Sequence, residues 1–346
     1  MTGTLDMGVQ LAASAVRFGV FYGVNQVMDR QARLLGQQGS YKPKRPVPSR
    51  QALMASLGEL FLADAANVRR GIYPPMEQEP GGIGELAARV RAMMADLPGA
   101  LERRETGAAD SARSEAPAAG LPDYYVQDFH FQDGGHLSDV SSRLYDVQVE
   151  TLFYGAANTM RRAALPAIAR EIAGRDQRRM SLLDVACGTG RFLRQVRTAW
   201  PALQLTGIDL SEAYLREARR HMAELRPAAW LEGNAEAIPL ADASQDIVTC
   251  VYLLHELPQD VRRTVAAEMA RVLKPGGLLV FVDSLQMGDR PGWDGMLEAF
   301  PVRFHEPYFR SYAIEDLGRM FNELGLAVEA TSLAFLSKVV VCRAPR

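Results

Sequence analysis

From residue 181 onward, apolar positions fall into short runs separated by stretches in which they return at helical spacing. The runs predict strands near 181–187, 203–208, 228–232, 246–252, 277–283, 326–333 and 336–343. The helical stretches lie near 190–200, 211–225, 259–273 and 314–324. Strands alternating with helices predict a parallel sheet with right-handed crossovers. The last two strands have no helix between them, which predicts a closing hairpin and an antiparallel last strand pair.

The pattern before residue 122 is different. Residues 4–35 read as one long helix, with Val9, Val16, Val20, Phe21, Val24, Val27 and Met28 forming an apolar stripe. Gln10, Arg17, Asn25 and Gln26 interrupt it, so a packing helix is expected rather than a membrane span. Association with a membrane surface stays open. Residues 40–50 are basic and proline-rich, and read as a linker or extended arm. Helices are expected near 51–70 and 83–97. Residues 103–121 are rich in Ala, Gly, Ser and charge, and read as a disordered linker. The expected organisation is a helical N-terminal module over 1–102, the linker, and a second unit over 122–346.

Within that unit, residues 182–193 read Leu-Leu-Asp-Val-Ala-Cys-Gly-Thr-Gly-Arg-Phe-Leu: a strand, a tight glycine turn and a helix start. Glycine lets a ligand approach the backbone, and the helix start offers free N–H groups. A nicotinamide fingerprint needs a third small residue where Leu193 stands. Asp184, inside the strand, repels a pyrophosphate and attracts a cationic ligand such as S-adenosylmethionine. Asp209 ends the next strand about 20 residues after the turn, the spacing at which an acid reaches ribose hydroxyls.

Five pieces in order are similar to class I S-adenosylmethionine-dependent methyltransferases, and among them to the small-molecule enzymes of the ubiquinone/menaquinone-biosynthesis type. They are Leu-Asp-Val-Ala-Cys-Gly-Thr-Gly (183–190), Gly-Ile-Asp-Leu-Ser (207–211), Gly-Asn-Ala-Glu-Ala-Ile-Pro-Leu (233–240), Gln-Asp-Ile-Val (245–248) and Arg-Val-Leu-Lys-Pro-Gly-Gly (271–277). The resemblance implies an α/β fold: a Rossmann-like, mostly parallel seven-stranded sheet with an antiparallel last strand pair, carrying the N-terminal helical module. It also implies S-adenosylmethionine against Tyr145, Asp184, Ala186, Gly188, Gly190, Asp209, Leu210, Asn234, Ala235 and Val251. Ala186 stands where the family carries its first loop glycine, and Asn234 where it carries an acid. Tyr145 is carried over as the residue that closes over the cofactor.

Two aromatic-rich segments, 123–154 and 285–313, are expected as lids over an acceptor; the alternative for the first is a strap on the sheet edge. Tyr124, His130, His305 and Tyr308 are the candidate acceptor contacts. Ligands of open α/β sheets bind beyond the C-terminal strand ends. The fourth strand ends in Val-Tyr-Leu-Leu-His-Glu-Leu-Pro (251–258), which places His255 near the transferring methyl as a candidate base. The alternative is that His255 and Glu256 only hydrogen-bond the next helix start. No zinc-ligand spacing is present, so no metal is expected. DNA amino-methylating enzymes carry an Asn or Asp, two prolines and an aromatic where this chain has Leu253-Leu254-His255.

Composition adds little. The 346 residues are 48% apolar with net charge −2, which does not advertise nucleic acid. Three cysteines and no basic stretch before the first apolar one suggest reduced thiols in a cytoplasmic protein. The expectation is methyl transfer to a hydrophobic or aromatic small molecule, on oxygen or carbon. The alternatives are a catalytically silent S-adenosylmethionine-binding protein acting through its N-terminal helices, and a nicotinamide oxidoreductase. The acceptor and the oligomeric state are left open.

Overall fold

A computed structural model describes residues 2–34, 41–76, 79–107, 111–115 and 120–346. Three long helices come first: α1 (Thr2–Leu34), α2 (Arg50–Arg69) and α3 (Gly82–Thr106), then the single turn α4 (Ala112–Glu115). Helices α5 (Asp139–Leu152), α6 (Ala157–Arg162) and α7 (Leu165–Ile172) lead into the sheet. Its strands and helices are β1 (Ser181–Val185), α8 (Arg191–Ala199), β2 (Gln204–Asp209), α9 (Glu212–His221), β3 (Ala229–Glu232), β4 (Gln245–Val251), α10 (Gln259–Val272) and β5 (Leu273–Ser284). Then follow α11 (Asp294–Arg303), α12 (Phe309–Tyr312), α13 (Leu317–Glu323), β6 (Ala327–Ala334) and β7 (Ser337–Arg343).

The strand order is β3-β2-β1-β4-β5-β7-β6. Strands β1 to β5 pair parallel, and β7 runs antiparallel to both of its neighbours. A parallel sheet is covered on both faces, so its central strands carry continuous apolar runs. Leu182, Leu183 and Val185 on β1, and Leu278 to Val282 on β5, are accordingly buried.

The N-terminal helices share this core. Leu57, Leu60 and Val68 of α2 belong to the same buried cluster as the sheet residues, each burial contributing about 1.5–3 kcal/mol. Arg162 Nε lies 2.8 Å from Asp64 on α2, both side chains buried. Gln10 of α1 and Tyr73 also donate to Asp64, at 2.5 and 3.0 Å. By length and composition α1 is apolar enough to cross a membrane. In the fold it buries Phe21, Gln10 and Ser14 and leaves Leu5, Val9, Val16, Val20 and Val27 exposed.

Three expectations change here. The third helix does not stop before Pro98 but runs through it to Thr106, because Leu97 and Leu101 on either side are both buried. Helix α5 ends at Leu152, and α6 starts again only at Ala157. Gly155 takes φ 80, and a Cβ there would meet Arg17 O of α1 at 2.8 Å. The stretch expected as a disordered linker is ordered in its described parts. Residues 103–106 close α3, and Ser111 N and Ala112 N donate to Asp128 at 2.9 and 2.7 Å. Residues 108–110 and 116–119 lie outside the described residues. The proline-rich arm is docked: Tyr41 Oη donates to Glu298 on α11 at 2.7 Å, and the backbone N–H groups of Lys44 and Arg45 donate to the same carboxylate.

A chain starting at residue 122 would expose the core face that Leu57, Leu60 and Val68 cover, at about 1.5–3 kcal/mol for each burial lost. We expect that fragment to be insoluble or to melt without a cooperative transition. A soluble fragment melting cooperatively near the full chain would make residues 1–121 an accessory module instead.

Candidate active site

The turn after β1 holds three residues in left-handed backbone: Ala186 (φ 55), Gly188 (φ 53) and Gly190 (φ 71). An alanine there costs roughly 1–2 kcal/mol, so Ala186 is a strained residue where a glycine would rest. Around the turn lies a cavity of about 120 Å³, lined by the ends of β1, β2 and β4 and covered by the aromatic segment. Two carboxylates beside the turn face it, and Glu256 lines it from the far side. Asp184 accepts from Thr249 Oγ1 at 2.6 Å, its neighbour across the β1–β4 register. Asp209 accepts from the backbone N–H groups of Gly188 and Ser211 at 2.8 and 2.9 Å. Among the described residues neither carboxylate has an ion-pair partner, and neither has Arg161, whose guanidinium lines the same cavity. Burial pushes Asp184 up to about 7, reinforced by the nearby Asp209 charge. Burial also raises Asp209, against the two N–H donors.

This donor set fits S-adenosylmethionine. Unpaired carboxylates suit an ammonium and ribose hydroxyls, and the unpaired guanidinium of Arg161 suits a carboxylate. Of the expected contacts, Tyr145, Asp184, Ala186, Gly188, Asp209, Leu210, Asn234, Ala235 and Val251 all line this cavity. Gly190 is the correction: a Cβ there would meet Ala218 Cβ at 2.9 Å and the Trp230 ring at 3.1 Å. Its missing side chain lets α9 and β3 close on the turn and leaves no opening toward a ligand. Asn234 caps the turn over 235–237, accepting from Glu236 N at 2.9 Å.

A second chamber, of about 350 Å³ and mostly apolar, lies beyond the first. Met28 of α1, Met93, Leu97 and Leu101 of α3, Phe131, Phe153, and Leu297, Phe300 and Phe304 in and after α11 wall it. Tyr145, Tyr252 and Glu256 line both spaces and form the wall between them. The expected acceptor contacts separate here. His130 faces the chamber, whereas Tyr124 lines the first cavity and donates to Glu236 at 2.6 Å. His305 packs against Phe131, ring centroids 5.4 Å apart, and Tyr308 uses its carbonyl to accept from Arg262; neither lines either space.

His255 sits at the end of β4 and opens on the chamber. Buried Arg262 of α10 fixes the turn that carries it, donating to Leu254 O at 2.8 Å while pairing with Glu315 at 2.7 Å. Nδ1 of His255 lies 2.5 Å from Asp283 Oδ1, and Asp283 is fully buried. Burial opposes the imidazolium, but the Asp283 carboxylate overrides it and pushes His255 up to about 10. An imidazole with its ordinary titration, the one expected of a base at neutral pH, is not what this pairing provides. Around it gather His130, His136, Glu256 and Glu306. Burial lowers His130 despite Glu256, and Glu256 is held well below the usual range by the surrounding imidazoles, against its burial. Asp283 and Glu306 escape sequence reasoning because each is a lone acid in its segment; only the fold brings them to His255.

A methyltransferase-domain family model matches residues 182–277. The chain is 35% identical over 141 residues to a demethylmenaquinone methyltransferase of Listeria monocytogenes, covering 40% of this chain and 58% of that protein. It is 32% identical over 199 residues to the ubiquinone/menaquinone biosynthesis C-methyltransferase UbiE of Desulfotalea psychrophila, covering 58% of this chain and 71% of that protein. A solved SAM-dependent methyltransferase from Aquifex aeolicus is 20% identical with a TM-score of 0.39, covering 51% of this chain and 87% of that one.

A carboxyl raised to about 7 destabilises the empty fold where it is ionised. Its contribution is complete below the ordinary carboxylate range and lost as pH rises through 7. A cationic ligand draws out the ionised form. Affinity for S-adenosylhomocysteine, which keeps the ammonium, should therefore rise by up to about tenfold per pH unit below 7 and flatten above. Calorimetry across that range should show the slope, and Asp184→Asn should remove it. An affinity independent of pH in the wild type would place the ammonium elsewhere.

Proposed function

Because the chain belongs to the S-adenosylmethionine-dependent methyltransferases of the ubiquinone/menaquinone-biosynthesis type, we propose that it moves a methyl group from S-adenosylmethionine to a hydrophobic or aromatic small molecule. The observation that carries this reading is the pair of spaces sharing one wall: a cavity with unpaired acids beside the glycine turn, and an apolar chamber beyond Tyr145, Tyr252 and Glu256. The chamber lies in the size range of ligand pockets, which are apolar with a few placed polar groups.

When bound, S-adenosylmethionine supplies an electrophilic methyl carbon on a positive sulfur. Asp184, Asp209 and Arg161 would hold it by its charged and hydroxyl groups, and Tyr145 covers it from the chamber side. The chamber holds the apolar body of the acceptor and excludes water, so alignment is the larger part of the protein's work. His255, anchored through Nδ1 on Asp283, turns its other edge toward the chamber wall. There it orients an acceptor oxygen as a hydrogen-bond donor. That role suits methylation at a carbon activated by a neighbouring phenolic or enolic oxygen.

Substitution separates donation from proton acceptance. His255→Leu should lower turnover by about 10²–10³, the loss for one well-placed donor. His255→Gln keeps a donor and should lose much less. The measurement is S-adenosylhomocysteine formed with a panel of alkyl-substituted hydroquinols and naphthols, beside a melting curve for each variant. Equal, large losses in both variants with unchanged melting would mean that His255 accepts a proton. No product from any acceptor would return the reading to a silent binder.

A further inference from the structure

The buried polar cluster beside the shared wall contains more ligating atoms than an organic acceptor needs. His130 comes from the turn before α5, Glu256 from the turn over 254–256 that follows β4, and Glu306 from the bend between α11 and α12. Their ligand atoms all lie within 4.8 Å of one another. His130 Nε2 is 3.2 Å from Glu306 Oε1 and 3.7 Å from Glu256 Oε1. Glu306 is fully buried, and among the described residues neither of its oxygens has a hydrogen-bond partner. His136 Nε2, 3.3 Å from the other Glu256 oxygen, has none either. A buried carboxylate without partners is costly unless a proton or a cation neutralises it.

We propose that His130, Glu256 and Glu306 bind a first-row divalent metal ion. Two donors about 2.1 Å from one ion subtend roughly 100–125° at separations of 3.2 and 3.7 Å, the range of a tetrahedral or lower-symmetry site. One imidazole and two carboxylates make a mixed nitrogen and oxygen set, which suits manganese, iron or zinc and leaves positions open. Glu256 lines both spaces and His130 lines the chamber, so the open positions face the place where the two spaces meet. An acceptor hydroxyl or carbonyl oxygen is the further ligand. That last role rests on the methyl-transfer reading; the metal site itself does not. No motif spacing betrays it, because the three ligands come from three distant segments.

The test uses the full chain freed of metal by chelation, titrated with Mn²⁺ by electron paramagnetic resonance and with Zn²⁺ by calorimetry. One saturable site per chain is expected, with a rise in melting temperature and displacement of Mn²⁺ by Zn²⁺. Glu306→Gln and His130→Asn should each weaken binding by about 10–100-fold or more. Both should still bind S-adenosylhomocysteine, which reports an intact fold. Spin-echo spectra of the wild-type Mn²⁺ complex should show ¹⁴N coupling from an imidazole, a readout that needs no variant. If Glu306 is neutralised by a proton instead, neither metal saturates and Glu306→Gln melts at or above the wild type; that result overturns the proposal. So does metal binding that both substitutions leave unchanged, or a bound ion without ¹⁴N coupling.

Discussion

Arg191, the first residue of the helix after the glycine turn, is held between Asp146 at 2.8 Å and Glu79 at 2.6 Å. Much of the site depends on that bridge. Asp146 also accepts from Thr189 Oγ1 inside the turn at 2.8 Å, so α5 grips the turn directly. Glu79 pairs in addition with Arg17 of α1, which reaches Glu150 of α5 at 2.8 Å. The chain of charges runs from the ligand turn to the first helix without a break. Removing one member leaves a largely desolvated charge behind, a loss of about 3–5 kcal/mol. The bridge therefore fixes the turn, and it also fixes the helices that wall the apolar chamber.

Charge is placed differently in the two spaces. The turn network is closed, each acid matched to a guanidinium. The cavity beside the turn leaves Asp184, Asp209 and Arg161 without ion-pair partners among the described residues, which is what a ligand carrying both an ammonium and a carboxylate needs. At the shared wall, imidazoles meet carboxylates and only part of the set is matched: Asp283 is taken by His255, whereas Glu306, 3.2 Å from His130, has no hydrogen-bond partner among the described residues. Polar groups deprived of protein partners at the meeting of two cavities are where chemistry is expected.

The sheet and its order of elements were legible because β1, β4 and β5 are buried on both faces and carry apolar runs that no other element imitates. The residues lining the cavity beside the turn were legible for a related reason. They sit at strand ends and in a glycine turn, where local geometry selects residue types. Gly190 shows the limit: a glycine in such a turn reads as ligand contact, yet here it admits Ala218 and Trp230. The helix break at Gly155 lies where α1 passes so close that a Cβ would meet Arg17 O at 2.8 Å, and no local pattern records a neighbour so distant in sequence. The share of α1 and α3 in the chamber escaped for the same reason. The chamber walls come from α1, α3, the 129–131 turn and α11, and the apolar stripes of α1 and α3 read equally well as plain packing faces.

In the proposed methyl transfer, α1 and α3 wall the chamber that takes the acceptor. Leu97→Trp, which fills that chamber from α3, tests it most directly. Turnover with an alkyl-substituted hydroquinol or naphthol should collapse, while the calorimetric affinity for S-adenosylhomocysteine stays at the wild-type value. Unchanged turnover, or cofactor affinity lost together with it, would contradict the account.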